Sequence, residues 1–454
     1  VKTVSRESFI ASIPVGFIEN LPGEAGIYVV GGALRDIICG IPYRELDLLV
    51  TSIPLDRLLK ILRRFGKAEA VGRSFTVIKW SPRLSSETID VSVPSRRDIS
   101  MPDGGAVDPD MPVVEDLAQR DFTVDAMAFD LRTSEIIDPF HAIEDIEKHI
   151  LKAVTDTSLE ADPLRCIRGA YICAKCGLAV EPRTLELIRS TASDIKNIAP
   201  ERIAEEIRKT LLLPKPSDAL RLWRDWGLLD HFIPELAGCV GVVQEGGWHA
   251  YDVFEHLLHT VDASPPQFDV RLAALFHDIG KPARRKFLPE RNRAIFYGHQ
   301  NLGERLTTKI MSRLHFSKEL TNRVAQLVRF HMFSHAETDK GIRRFIRRVG
   351  VELLDDLFEL RFADIKAQGT DREEESDKIY RKKIMRILEE KPPLSPTDLA
   401  IDGNDIMNTL ALNEGREVGE ILEKLLEIVI DSPSKNTKDI LIEELENMRC
   451  DRNR

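Results

Sequence analysis

The feature that most limits the fold is a change of texture near residue 140. Between residues 26 and 140 the chain carries short runs rich in Val and Ile, at 27–30, 46–50, 75–80 and 88–93. Each is bounded by Gly, Pro or Ser, which is the pattern of strands in a small mixed sheet. Residues 33–39 and 54–65 read as helices between them. Beyond 141 the strand signal disappears. Segments 142–150, 163–176, 182–197 and 200–213 have helical periodicity, and three of them open on Pro at the first turn. Residues 217–395 are also helical, with connections at 264–269 and 287–293. The pairs Pro392-Pro393 and Ser395-Pro396 mark a last boundary before two or three tail helices. The predicted class is α+β: a mixed-sheet head (1–140), a helical neck (141–213), a helical body (214–395) and a helical tail (396–454).

Net charge is −10 over 454 residues. Phosphate binding depends on local patches, so the whole-chain sign does not exclude nucleic acid. No run approaches the roughly 20 apolar residues of a membrane span, so no membrane partner is expected. The first 17 residues lack the apolar core of an export signal. Six scattered cysteines form no disulfide framework, and a cytoplasmic, reducing setting is expected. Cys173 and Cys176 are a lone CxxC inside a helical run, and with no second pair they read as core residues.

Val29-Val30-Gly31-Gly32-Ala33 reads as a strand, a double-glycine turn and a helix start. Such a turn lets the backbone come close to a ligand, and the helix start favours phosphate. Glu45 and Asp47 follow at i and i+2, so on a strand they share one face. Two carboxylates there are costly unless a cation joins them. Mg²⁺ takes oxygen ligands and commonly holds substrate phosphates as well. Asp90, on the 88–93 strand, is the candidate third carboxylate. A solvated edge strand would explain Glu45 and Asp47, but not the glycine turn before them.

Together, Gly31-Gly32, Arg35-Asp36 and Glu45-x-Asp47 resemble the catalytic signature of the nucleotidyltransferase superfamily. More narrowly, they are similar to the class II tRNA nucleotidyltransferases, the CCA-adding enzymes, and their bacterial poly(A) polymerase relatives. That family usually has Asp where this chain has Glu45. The resemblance implies Mg²⁺ held by Glu45 and Asp47, with Gly31, Gly32 and Arg35 binding nucleotide.

A second matching segment is Gln119-Arg120-Asp121-Phe122-Thr123-Val124-Asp125-Ala126. Arg120 suits a triphosphate, and Asp121 can accept from a ribose hydroxyl. Gln119 stands where the family has Arg, and Asp125 where it has Asn. That loses a cation and adds an anion, which weakens nucleotide binding unless other Lys or Arg compensate. Asp162 and Arg165, three apart on a helix, share a face, and Arg168 follows one turn later. The resemblance implies that Asp162 and Arg165 act as the template reading C and A, although Ala161 replaces the family's Glu. The Gly-, Pro- and Asp-rich loop at 99–119 is expected to be mobile, and is shorter than the common family pattern, which keeps CC-only addition open.

The helical body carries His256, His277-Asp278, His299, His331 and Asp364. Imidazole and carboxylate together suit a divalent transition metal with an activated water. These residues resemble the HD phosphohydrolase superfamily. His256, His277, Asp278 and Asp364 match its core ligands, and His299 and His331 match the additional histidines of two-metal members. Arg343, Arg344, Arg347 and Arg348 lie on one helical face, a candidate RNA-binding surface; Arg202, Arg208 and Lys209 supply another basic spot.

The expected function is template-independent addition of C and A nucleotides (CCA, or CC only) to the tRNA 3′ end from CTP and ATP. A phosphohydrolase activity of the HD site is expected beside it. The alternatives are a poly(A) polymerase, an HD phosphohydrolase with a nucleotide-binding head, and a nonenzymatic RNA-binding protein.

Overall fold

The computed structural model describes every residue except 1–3, 11, 44, 72–76, 84–87, 97–105, 246–249, 370–373 and 453–454. The chain gathers into two compact units, Val1–Pro234 and Glu235–Arg454.

The first unit is built on one mixed sheet. Its strands are β1 (Ile27–Val30), β2 (Asp47–Val50), β3 (Gly66–Val71), β4 (Val77–Pro82) and β5 (Ile89–Ser92). A separate two-stranded ladder joins β6 (Ser95–Arg96) to β7 (Ala106–Val107), and β8 (Ala128–Asp130) and β9 (Ile136–Ile137) return to the main sheet. Its order is β3-β4-β5-β2-β1-β8-β9. Only β2 and β5 pair in parallel; the other main-sheet pairs are antiparallel.

Alternation along the strands sorts the two faces. Ile27, Val29, Leu48, Val50, Ile78, Trp80, Ile89 and Val91 are all 0% exposed. Their registers, Val29↔Leu48, Leu48↔Val91 and Ile78↔Val91, place them on one face. Phe17 closes over it, its ring 4.7 Å from that of Trp80. The opposite face receives the intervening residues. There Val30 and Leu49 pack with Leu117, Ala126 and Ala128. Asp47 sits opposite Val30 on one side and Asp90 on the other. Lys79 is opposite Asp90 in turn.

The four expected strands are present within one to two residues at each described end; residues 75 and 76 lie outside the described residues. The sequence reading missed β3, an edge strand whose outward Lys67 and Glu69 leave only Ala68 buried. Such charged edges discourage pairing with other chains and carry little hydrophobic signal. It also missed the two-residue parallel pair β10 (Ile150–Leu151) and β11 (Ala179–Val180), too short to show a period.

Helices Leu164–Cys176, Pro200–Leu211 and Pro216–Asp225 complete this unit. The Trp223 indole donates to the Ile167 carbonyl at 3.1 Å. Cys173 is buried there, as a core cysteine should be, whereas Cys176 is half-buried, a free thiol within hydrogen-bonding contact of the free Cys39 thiol.

The second unit is helical apart from a hairpin, β12 (Lys286–Leu288) with β13 (Arg293–Ile295), where a loop was expected at 287–293. Its tail helices Gly403–Leu410, Arg416–Asp431 and Lys438–Arg452 have their own apolar core around Ile406, Leu425 and Leu445. No described helix is long and apolar enough to cross a membrane.

The basic face of helix Asp339–Val349 is not the open surface that the sequence implied. Arg343 is buried and donates to the Ile430 and Asp431 carbonyls at 2.6 and 3.3 Å, capping helix Arg416–Asp431. Arg344 pairs with Asp431 at 3.0 Å, and Arg347 pairs with Glu423 and Glu427. Arg348 lies over the Phe345 ring. The expectation of RNA contact by Arg343 is therefore corrected: unpaired carbonyls at a helix end attract a guanidinium.

Removing the largest core side chain tests the packing of the sheet. Trp80→Ala should cost about 3–5 kcal/mol, read as a lowered first transition in guanidinium unfolding followed by far-ultraviolet circular dichroism.

Candidate active sites

Two cavities gather the sequence-predicted residues, one in each unit. The first, of about 440 Å³, is walled by the glycine turn, β2, the Arg120–Asp125 segment and two neck helices. Gly31 has φ +69°, the left-handed region that favours glycine. A Cβ there would stand 3.2 Å from an Arg120 nitrogen and 3.4 Å from an Asp47 oxygen. The turn thus brings bare backbone beside both.

Asp47 and Asp90 are adjacent on parallel strands, with Glu45 two residues before Asp47. Lys79 answers Asp90 at 2.8 Å. Burial first, then Asp90, push the Asp47 acid up to about 6; Glu45 adds to this and Arg120 opposes it. Glu45 and Asp47 line the cavity, whereas Asp90 stands outside its lining. A hard divalent cation is the group that this oxygen set fits.

Arg35 is buried in the wall with its charge taken. One nitrogen donates to both Asp125 oxygens at 2.8 Å, and two others donate to Asp36. Lys175 closes the network on Asp36 at 2.6 Å. Burial raises the Asp125 acid even though Arg35 pulls the other way. Arg120 reaches Asp116 and the Asp125 carbonyl at 3.4 Å, and its buried Nε has no partner among the described residues. Asp121 accepts from Arg168 at 2.8 Å and from the Phe122 amide. Burial alone would raise its acid, but Arg168 and Arg165 bring it down to about 2.

Asp162 and Arg165 are not brought to this cavity. Arg165 is buried and donates to the carbonyls of Gln119, Arg120 and Ser158 at 2.8–3.2 Å. Asp162 caps the helix start and accepts from Arg202 at 2.7 Å. Arg165 therefore supports the Gln119–Arg120 backbone, which corrects the expectation that it faces the base. Gln119 is turned away too, donating to the Ser95 and Glu115 carbonyls.

The reading also missed cavity residues. Tyr171, Lys175 and Glu206 line it beside Arg168; Arg208 and Lys209, expected as a basic spot for RNA, line it as well. The signal was present: residues 168, 171 and 175 share one helical face. Of the 99–119 loop, residues 99–105 lie outside the described residues, and the rest holds β7 and helix Val113–Ala118.

The second cavity, of about 660 Å³, has Asp278, His299, His331 and Asp364 in its wall. Five elements converge there: His256 from helix Val253–Ala263, His277-Asp278 after helix Phe268–Phe276, His299 opening helix His299–Arg313, His331 after helix Lys318–Phe330, and Asp364 from helix Leu354–Ala367. Gly280 permits the convergence, because a Cβ would lie 2.3 Å from the His299 carbonyl. His256 Nε2 is 3.2 Å from His277 Nε2 and 3.1 Å from Asp364. His299 Nε2 is 3.3 Å from His331 Nε2 and 3.1 Å from Asp278. Two groups, His256–His277–Asp278 and Asp278–His299–His331, hold ligand atoms within 4.8 Å.

Every histidine places Nδ1 against a backbone carbonyl, of Ala367, Ala274, Phe296 and Val328 in turn. Those carbonyls select the Nδ1–H tautomer, so the Nε2 lone pairs face each other. Lone pairs at 3.2 Å repel unless a cation lies between them, and this donor set suits a transition metal. Burial alone would raise the Asp278 acid, but Lys281 at 2.5 Å and His277 hold it well below the usual carboxylate range. Burial pushes His331 down to about 4.

Comparison with known proteins places this architecture. Residues 27–152 match the poly A polymerase head domain, 177–239 the RNA and SrmB-binding site of polymerase A, and 293–445 tRNA nucleotidyltransferase domain 2. An A-adding tRNA nucleotidyltransferase of Deinococcus radiodurans is 36% identical over 328 residues, 69% of this chain and 74% of the relative. The chain belongs to the tRNA nucleotidyltransferase and poly(A) polymerase family. It is a nucleotidyltransferase. A CC-adding tRNA nucleotidyltransferase of Thermus thermophilus is also 36% identical, over 69% of this chain and 72% of that one. The fold matches that of the Bacillus stearothermophilus CCA-adding enzyme solved with CTP, with TM-score 0.70, 20% identity and 98% of each chain covered. The α+β expectation is met.

The Asp47 acid makes a pH test available. Its folded value, about 6, lies above the ordinary 3.8, so the folded chain binds more protons between the two. Stability is therefore lost as pH rises through that window, by about 3 kcal/mol. Asp47→Asn should remove this loss in metal-free protein. Mg²⁺ should raise the melting temperature of the parent at about pH 8, progressively less as pH falls through about 6, and leave Asp47→Asn unmoved. Scanning calorimetry across pH, with and without Mg²⁺, reads both effects.

Proposed function

We propose that this enzyme adds C or A nucleotides to the 3′ end of tRNA from CTP and ATP, with the first cavity as the addition site. The observation that carries the reading is the raised Asp47 acid beside Asp90, in a cavity whose buried Arg120 Nε lacks a partner. Glu45 and Asp47 would hold Mg²⁺, which supplies charge neutralisation of the triphosphate and activation of the 3′-hydroxyl. Asp90 steadies Lys79 and raises the demand of Asp47 for a cation. Arg120, Lys175, Arg208 and Lys209 bind the triphosphate, making up for the cation missing at Gln119. Arg35, held by Asp125 and Asp36, stiffens the wall behind the Gly31-Gly32 turn. Asp121 and Arg168, already bonded to each other, offer paired acceptor and donor edges to the base or ribose, while Asp162 and Arg165 position them from behind. The RNA 3′-oxygen bonds to the α-phosphorus, and the bond to pyrophosphate breaks. In this reading residues 1–140 carry the chemistry and 141–213 the base-reading wall, while 214–395 and the tail 396–454 bind tRNA, with Arg344, Arg347 and Arg348 as candidate contacts on rearrangement of their ion pairs.

The histidine–aspartate cavity supports a second activity in the same chain. Its facing Nε2 lone pairs fit one or two transition-metal ions sharing Asp278, and such a site supplies a metal-activated water for phosphoester hydrolysis. Lys281 would steady Asp278 there, and Asp364, 3.1 Å from His256 Nε2, would join the histidines as a metal ligand.

The deciding experiment offers tRNAs ending before CCA, after C and after CC, with Mg²⁺ and CTP, ATP or both, and sequences the products. Addition that stops at CCA is expected for the full enzyme, a halt after CC for a CC-adding one, and a single A on the CC-ended tRNA for an A-adding one. Long A tails on unrelated RNA would replace the reading with a poly(A) polymerase. Asp47→Ala should abolish addition and spare phosphoester hydrolysis; Asp278→Ala should do the reverse. Addition that survives Asp47→Ala would remove the first cavity from the chemistry.

A further inference from the structure

The hairpin β12–β13 carries a charge density opposite to that of the chain. Between residues 284 and 295 there are five cations and one carboxylate, in a protein of net charge −10. Arg284, Arg285, Lys286 and Arg291 are exposed. Arg285 pairs with Glu245, and no ion pair among the described residues engages Arg284, Lys286 or Arg291. Two large rings stand among these charges. Phe287 is 40% exposed beneath the Arg285 guanidinium, and Tyr297 is 78% exposed. Exposing such rings has no folding advantage.

The second strand and its continuation, Arg293 to Gly298, form a wall of the histidine–aspartate cavity. Arg293 belongs to that wall, and its buried Nε has no partner among the described residues. Cations and rings therefore run along the hairpin and end at a cavity.

We propose that this hairpin is a docking strip for single-stranded RNA that leads the strand's end into the histidine–aspartate cavity, apart from the nucleotide-addition site. The strip extends roughly 13 Å from Lys286 to the turn, at about 3.3 Å per residue. A free mononucleotide needs cations at one point, whereas a strip this long suits successive phosphates. Phe287 and Tyr297 offer the faces on which bases stack, the combination that single-strand binders use. The choice of RNA over DNA rests on the proposed tRNA function; the polyanion with stackable bases rests on the hairpin alone.

The test uses the full chain and a fluorescein-labelled 12-nucleotide RNA with 4-thiouridine at its 3′ end, its DNA counterpart as control. Cross-links are expected within residues 284–297. The triple variant Arg284→Ala/Lys286→Ala/Arg291→Ala should bind the RNA about tenfold more weakly or worse, with a log–log salt slope shallower by about 2. Its melting temperature should match the parent, and Arg284→Lys/Arg291→Lys should retain binding. Equal affinity and slope in the triple variant, cross-links only elsewhere, or no RNA binding by the parent would overturn the proposal, even with tRNA addition intact. Equal affinity for DNA would overturn the choice of RNA. Hairpin binding without any tRNA addition would leave the strip standing and remove the function proposed above.

Discussion

Charge that has left water must meet opposite charge, and both cavities are organised by that cost. In the first, Arg35, Asp36, Asp125 and Lys175 settle their charges against one another inside the wall. Asp121 and Arg168 do the same on the neck side. Asp47 is left beside Asp90 with no cation of its own strand, and its acid rises accordingly. In the second, Asp278 stands among histidines whose Nδ1 atoms are already committed to carbonyls. Each cavity contains one place where the protein's own charges and lone pairs do not balance, and a cation would restore the balance at each.

The sheet makes the first of these places possible. Alternation commits Leu48 and Val50 to the apolar face, which forces Asp47 to the other. Parallel pairing then brings Asp90 alongside it, from a strand more than 40 residues later. A one-residue slip of β2 would turn Asp47 into the core. The face that stabilises the head thus also aims its chemistry.

The relatives add a separate lesson. An A-adding and a CC-adding enzyme are each 36% identical to this chain. Overall similarity to this chain therefore does not sort those two relatives by the base that they add. On the neck side the cavity presents Arg168, Tyr171, Lys175, Glu206, Arg208 and Lys209 as its polar groups.

Much of this was legible in the sequence. The strand runs, the glycine turn, Glu45-x-Asp47 and the six histidine and aspartate residues are local patterns of spacing and type, and spacing along a strand or helix determines which residues share a face. What the linear pattern left open was partnership. Arg165 and Arg343 look like free surface cations in sequence, yet each is buried against backbone carbonyls. Lys175 looks like an ordinary helix residue, yet it reaches Asp36, 139 positions away. The β12–β13 strands are too short to carry a period and were read as a loop. The sequence alone determined the elements and the chemistry available to them, because those follow from local sterics and side-chain type. The tertiary structure decided which charges are spent and which remain for a ligand, because burial and long-range pairing set the energy of a charge.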